Sequence, residues 1–249
     1  MILKSIVTIF LLTSIILLGT IGCSPIERKL LFYPTHHPHD NSLTPWIRNG
    51  ETIGYARKVA SPENVWLMLH GNAGQASDRL YAVPCFSGKD SVFIMEYPGY
   101  GNRDGVPSKG SFNRAAREAY LFLRETYPGI PVCVAGESIG SGPASFLSGI
   151  IPKLDKLVLV VPFDRLASVA EEHFPAILVR LMLKDNWDNV AALSGFKGPI
   201  DIFGAEDDDV IPVRHAKALA AVVPGARLVI IEGGHNDWSD GGRVRIRNP

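Results

Sequence analysis

The stretch Pro131-Val132-Cys133-Val134-Ala135-Gly136-Glu137-Ser138-Ile139-Gly140, continued by SGPASFLSGI at 141–150, decides the fold. Its first part is an apolar run suited to a strand and its last part has helical spacing, so Gly136-Glu137-Ser138-Ile139-Gly140 falls on a strand-to-helix turn. A bare G-x-S-x-G is weak, because Gly and Ser are common in turns and a Ser there can simply cap the helix. The setting adds weight. A tight turn that holds Ser in a strained conformation needs Gly on either side, since a side chain would collide with the neighbouring backbone. The helix that follows aims the positive end of its dipole at the Ser138 oxygen.

Outward from this turn, short β-rich apolar runs alternate with helical patterns from about residue 50 onward, which predicts an α/β fold with a mostly parallel sheet between helices. Strands are expected at 52–59, 65–70, 91–96, 132–136, 156–161, 200–203 and 227–231. Several are continuously apolar, such as VWLML and KLVLVV, as strands buried on both faces must be. Helices are expected at 111–126, 141–151 and 212–222, the last with Pro212 at its first position. Residues 164–190 break the rhythm and read either as a small cap over the carboxyl edge of the sheet or as ordinary helices of the main layer. No repeat or linker divides the domain, which is taken to span 50–249 after an extension at 23–49.

A serine hydroxyl is a poor nucleophile until a base takes its proton and a carboxylate orients that base. After Ser138, the His that directly follows an apolar strand is His235, in Ile230-Ile231-Glu232-Gly233-Gly234-His235-Asn236-Asp237. His173 falls in the candidate cap and His215 inside a helix, where both read as solvated or packed. The acid is expected from the strand-to-helix loop Phe203 to Pro212, in which Asp207, Asp208 and Asp209 all qualify. Consecutive Asp residues lack the alternating spacing of a calcium loop. His70-Gly71-Asn72-Ala73-Gly74 follows another strand and is rich in small residues. It can bring the backbone N–H of Asn72 to a developing oxyanion, with that of Ile139 as second donor. His70 reads as structural.

With 249 residues, 46% of them hydrophobic and 20% charged, the chain is long enough to bury a sizeable core. Twenty-five Lys plus Arg balance twenty-five Asp plus Glu, so no overall basic field exists to hold nucleic acid. The three Cys form neither a disulfide framework nor a C-x-x-C motif. A Cys85–Cys133 disulfide has no geometric support from sequence, and Cys133 reads as a small buried apolar residue. The cluster His36-His37-Pro38-His39-Asp40 has no second metal-ligating cluster to match it and reads as a solvated loop. The chemistry requires no cofactor or metal.

Residues 5–22 (SIVTIFLLTSIILLGTIG) are almost unbroken in their apolarity and do not belong to the soluble fold. They suit an uncleaved membrane anchor, or a lipoprotein signal in which Thr20-Ile21-Gly22-Cys23 is the cleavage box with Thr20 in place of the usual Leu. Either reading, with 1–22 as signal or anchor, places the rest of the chain at a membrane, and an extracytoplasmic location is expected.

LLFYP at 30–34, HGNAG at 70–74, EYPGYG at 96–101, GESIGSGPA at 136–144, WDN at 187–189, DDVIP at 208–212 and GGHND at 233–237 follow one another in an order that resembles the α/β-hydrolase-fold serine hydrolases. The likeness is to membrane-anchored bacterial relatives of the eukaryotic α/β-hydrolase domain proteins, which include protein depalmitoylases. The resemblance implies hydrolysis of carboxylic esters or thioesters of small-molecule or acylated substrates. It also favours Asp208 over Asp207, because the family's acid stands four residues before the Pro of the loop. An amidase or peptidase on the same residues, and a membrane-tethered binding protein without turnover, are the alternatives. One departure accompanies the match. Relatives continue past the His into a closing amphipathic helix, whereas WSDGGRVRIRNP after Asp237 has no apolar periodicity, and an uncovered apolar patch is expected on the sheet.

Overall fold

The computed structural model describes residues 27–151 and 153–249, so the expected signal or anchor at 1–22 lies outside the described residues. Eight strands form one sheet: β1 (Thr44–Arg48), β2 (Glu51–Arg57), β3 (Val65–Leu69), β4 (Ser91–Met95), β5 (Val132–Glu137), β6 (Leu157–Val160), β7 (Ile200–Ala205) and β8 (Arg227–Ile231). Their spatial order is β1-β2-β4-β3-β5-β6-β7-β8. β2 pairs antiparallel with β1 and β4, and every later pairing is parallel. All residues of β3, β4, β5, β6 and β7 are buried. That is why their runs are continuously apolar: helices or chain cover both faces.

Successive side chains of a strand point to opposite faces, and the core divides accordingly. Val65, Leu67 and Leu69 pack with Phe112 and Leu123 on one face, while Trp66 and Met68 pack with Ala82, Phe86 and Trp238 on the other. The first face is covered by α1 (Lys109–Thr126), α2 (Ser141–Ile150), α5 (Asn189–Leu193) and α6 (Arg214–Val222), with α3 (Leu166–His173) and α4 (Ala176–Met182) forming the insertion between β6 and α5. The Ser108 side chain accepts the Ser111 N–H at the start of α1, satisfying one of the donors a helix leaves open there.

Two expectations are corrected. Pro212 lies outside α6, which starts at Arg214; the Pro212 carbonyl accepts the His215 N–H instead. The residues after Asp237 do not leave the sheet bare. Trp238, Val244 and Ile246 are all buried in the second core, and the Ile246 N–H donates to the Cys85 carbonyl at 2.9 Å. An extended tail covers with alternate residues what a helix would cover with one stripe. His215 is packed within α6, as one of its two readings had it, and is bonded at both ring nitrogens to carboxylates. Cys85 and Cys133 are both free and buried, and burial pushes the Cys85 thiol up to about 11.

β1 lies ahead of residue 50, where the strand-helix alternation becomes legible. Its sequence TPWIR contains a Pro, and Trp46 is its one buried residue, which suits an edge strand. At the other edge, Arg227 donates to both oxygens of Asp201 at 2.8 and 2.9 Å, and Lys156 lies 3.0 Å from the same carboxylate. This buried group ties β8 and the approach to β6 onto β7.

Candidate active site

Ser138 has φ +52°, in the left-handed region that L residues avoid. The neighbouring glycines allow it. A Cβ on Gly136 would stand 2.6 Å from the Gly140 carbonyl oxygen and 2.7 Å from the Ala144 side chain, and one on Gly140 would overlap the Leu69 carbonyl. The turn therefore packs α2 hard against β3 and β5 and lifts the serine hydroxyl above the sheet.

Three loops from the carboxyl ends of parallel strands meet there, where open α/β sheets place their sites. Ser138 follows β5, Asp208 follows β7 and His235 follows β8. His235 Nε2 is 3.0 Å from Ser138 Oγ, and its Nδ1 is 2.8 Å from Asp208 Oδ2. The network sets the tautomer: Nδ1–H donates to the carboxylate, leaving Nε2 to accept the serine hydroxyl. The other Asp208 oxygen accepts the N–H groups of Val210 and Ile211 at 2.9 and 2.7 Å. These two bonds fix the carboxylate in place. Asp207 and Asp209 are exposed, and the Asp207 backbone N–H donates to the Gly233 carbonyl.

The loop after β3 sits opposite. Among the described residues, the backbone N–H groups of Asn72 and Ile139 take part in no loop or turn hydrogen bond, so both can serve an anionic oxygen. The Asn72 side chain is otherwise employed: it donates to the Leu31 carbonyl at 2.6 Å and accepts the Tyr100 hydroxyl at 3.0 Å. It thus joins LLFYP and YPGYG, two motifs that sequence reading left without a shared purpose. His70 is fully buried, with Nδ1 2.7 Å from the Gly71 carbonyl and its ring 4.4 Å from that of Tyr97. The imidazoles of His36 and His39 are spent on the carbonyls of Gly101 and Leu43, each at 2.6 Å.

Two further residues of the site escaped sequence reading. Arg79 is buried beneath the loop, donating to the carbonyls of Gly71 and Ala73 and, at 3.1 Å, to the Tyr81 hydroxyl. Burial opposes its charge, but the carboxylate of Glu137, with Tyr81 and Asp78, outweighs that and raises its pKa. The Tyr81 hydroxyl in turn donates to Glu137 at 2.9 Å. Burial, with the Glu137 charge, holds the Tyr81 hydroxyl above the usual phenol range. Arg79 lies at the kink between two short 3-10 turns within 76–85, and nothing in its local pattern marks a guanidinium turned inward.

Ser138 and His235 open into a cavity of about 360 Å³. Leu31, Leu166, Val169 and Ile211 form its apolar wall, and Asn72 and Arg79 lie on its polar side. α3 therefore contributes Leu166 and Val169 to the cavity.

This sheet, with a serine turned out at positive φ at the end of its central strand, defines an α/β-hydrolase fold. The chain belongs to the α/β-hydrolase-fold hydrolases. It is 32% identical over 228 residues to the Mycobacterium tuberculosis protein Rv2307c, covering 85% of this chain and 81% of that one. The lysophosphatidylserine lipase ABHD12 of Danio rerio is 28% identical over 188 residues, 66% of this chain but 48% of its own length, so the chain spans about half of that relative. Among solved structures, the Pyrococcus furiosus esterase Pf2001 superimposes with a TM-score of 0.62 at 12% identity, over 84% of this chain and 91% of that one. At that identity the likeness is one of fold. No family model matches the chain.

Proposed function

We propose that this protein is a serine hydrolase that cleaves carboxylic esters or thioesters through an acyl-enzyme, with Ser138 as nucleophile, His235 as base and Asp208 as its orienting acid. The observation that carries the proposal is the unbroken hydrogen-bonded line from Asp208 through His235 to Ser138, at 2.8 and 3.0 Å, opening into a cavity with an apolar wall. In the first step Ser138 Oγ attacks the substrate carbonyl while Nε2 of His235 takes the hydroxyl proton. The resulting imidazolium is stabilised by Asp208. The N–H groups of Asn72 and Ile139 receive the oxyanion, each such donor being worth about 3 to 4 kcal/mol in the transition state. His235 then returns the proton to the leaving oxygen or sulfur, and water, activated by the same imidazole, releases the acid.

An acylated substrate suits the wall of Leu31, Leu166, Val169 and Ile211. The lysophosphatidylserine lipase name borne by several relatives supports a lipid ester within that class. Residues 1–22 serve as an anchor or lipoprotein signal in this reading, which keeps the hydrolase domain at the membrane, on its extracytoplasmic side.

Full-length protein in detergent is expected to hydrolyse short p-nitrophenyl esters and to be labelled by a fluorophosphonate. Ser138→Ala is expected to lower kcat by about 10⁶-fold and to abolish labelling. Equal turnover with and without Ser138 overturns the mechanism, and turnover of amides in preference to esters and thioesters overturns the substrate class.

A further inference from the structure

The cap turns apolar side chains into solvent. Phe174, Ile177 and Leu181 are 56%, 63% and 67% exposed, and in α4 the one buried residue is Val179. Beside the cap, the helical residues 27–31 present Leu30, 59% exposed. Between them runs a groove of about 170 Å³, lined by Leu30, Leu31, Phe174, Leu178, Val179 and Met182. An apolar surface of this kind on a soluble domain marks an interface.

Two observations name its occupant. The apolar run 5–22 ends five residues before Glu27. Glu27 is buried, and its carboxylate accepts the N–H groups of Lys184 and Asp185 at 2.6 and 2.8 Å. Five residues of chain reach at most about 18 Å, so Glu27 lies within that distance of the end of the run, and its bonds to Lys184 and Asp185 hold the end of the cap beside it. The patch also has a cationic rim: Lys29 and Arg180 are exposed beside Leu30 and Leu181. Side chains of this type lay their stems along an apolar surface and hold their charge at anionic headgroups.

We propose that α4 and residues 27–31 dock into the interface of an anionic lipid bilayer, as a second membrane contact beside the N-terminal run. Leu31 is a wall of both this groove and the Ser138 cavity, so the docked cap holds the mouth of the cavity against lipid. The inference rests on the reading of 5–22 as membrane-inserted and is independent of the serine chemistry.

The four native tryptophans are all buried, with Trp46 at 3% the most exposed of them, so an added surface Trp reports its own surroundings. Full-length Leu181→Trp, bound to phosphatidylglycerol vesicles carrying brominated acyl chains, is expected to show blue-shifted emission quenched at least twofold more than Leu121→Trp, a control on the exposed side of α1. Ile177→Glu with Leu181→Glu is expected to lower hydrolysis of a vesicle-borne long-chain ester at least tenfold, with soluble-ester turnover unchanged. Protein that sediments with vesicles yet shows no excess quenching at 181 overturns the docking while leaving the anchor. A blue shift without bromine quenching assigns the patch to a second copy of the chain and overturns it as well. Protein that fails to sediment overturns both anchor and docking. The fluorescence and sedimentation outcomes do not depend on whether Ser138→Ala loses activity.

Discussion

The Glu137 carboxylate, one residue before Ser138, accepts the backbone N–H of Gly71 at 3.0 Å. Its other oxygen accepts the Tyr81 hydroxyl at 2.9 Å and the Trp238 indole N–H at 3.2 Å. Three donors converge on one anion, and they come from the loop carrying Asn72, the segment carrying Arg79 and the tail beyond His235. Glu137 therefore fixes the distance between the Ser138 turn and the loop that faces it. Glu137→Gln sets an amide N–H against one of these donors, and Gly71 must shift. A displacement of this order costs about 10² in rate when it misaligns reacting groups. The expected result is a fall of that size in kcat and in the fluorophosphonate reaction rate, with KM for a short ester little changed. An unchanged kcat in a correctly folded variant refutes the positioning role.

Asp208 and Asp207 are adjacent, yet only Asp208 is buried and bonded to His235. In Asp208→Asn the amide stabilises the wrong imidazole tautomer, and kcat is expected to drop about 10⁴-fold, as in other triads. Asp207→Asn changes an exposed side chain and is expected to leave kcat unchanged. Comparison of the two variants by ester hydrolysis separates the residues, and equal losses would deny Asp208 its part.

The strand-to-helix turn at Ser138 and the place of His235 beside it were legible because each rests on a local rule: Gly136 and Gly140 are demanded by close backbone approach, and His235 directly follows an apolar strand. What escaped depends on distant partners. Glu137 and Gly71 are 66 positions apart, and a Glu within G-x-S-x-G looks like a solvated turn residue until the fold supplies donors. β1 escaped because an edge strand with one buried residue shows no period. The tail escaped because only Val244 and Ile246 alternate, too short a pattern to separate from loop.

His215 illustrates the same point and carries a pH dependence. Its Nδ1 is 2.8 Å from Asp164 and its Nε2 2.6 Å from Glu172, and Arg214 also contacts Glu172. The bond to Asp164, aided by Glu172 and opposed by burial, raises the imidazole above its ordinary 6.5. Burial works against the charge of both carboxylates, but their bonds to His215 prevail, lowering Asp164 and Glu172 below 3.8 and 4.5. A raised imidazole contributes stability that is complete below 6.5 and is lost as pH rises through its folded value. Lowered carboxylates contribute above their ordinary values and lose it as pH falls through their folded ones. The Tm advantage of the native chain over His215→Gln is therefore expected to be largest between pH 4.5 and 6.5 and to shrink on either side. Thermal melts at closely spaced pH values test this, and a pH-independent difference contradicts it. Since Glu172 lies on α3 and His215 on α6, the same melts report how firmly α3 is tied to α6.

The tail after Asp237 makes the last test. Val244 and Ile246 are buried in the second core, whereas Arg245 between them is exposed. If these residues complete the sheet's cover, Val244→Ala removes buried methyl groups and lowers unfolding free energy by about 1 to 3 kcal/mol, and Arg245→Ala changes it by no more than about 0.5 kcal/mol. Urea unfolding of the two variants distinguishes this from a loosely draped segment, in which both substitutions are neutral. The tail also begins with Trp238, whose indole donates to Glu137, so its attachment bears on the site as well as the core. Loosening it at Val244 is expected to leave the Asp208–His235–Ser138 line in place while weakening one of the three bonds that hold Glu137, so any fall in kcat should be smaller than that of Glu137→Gln.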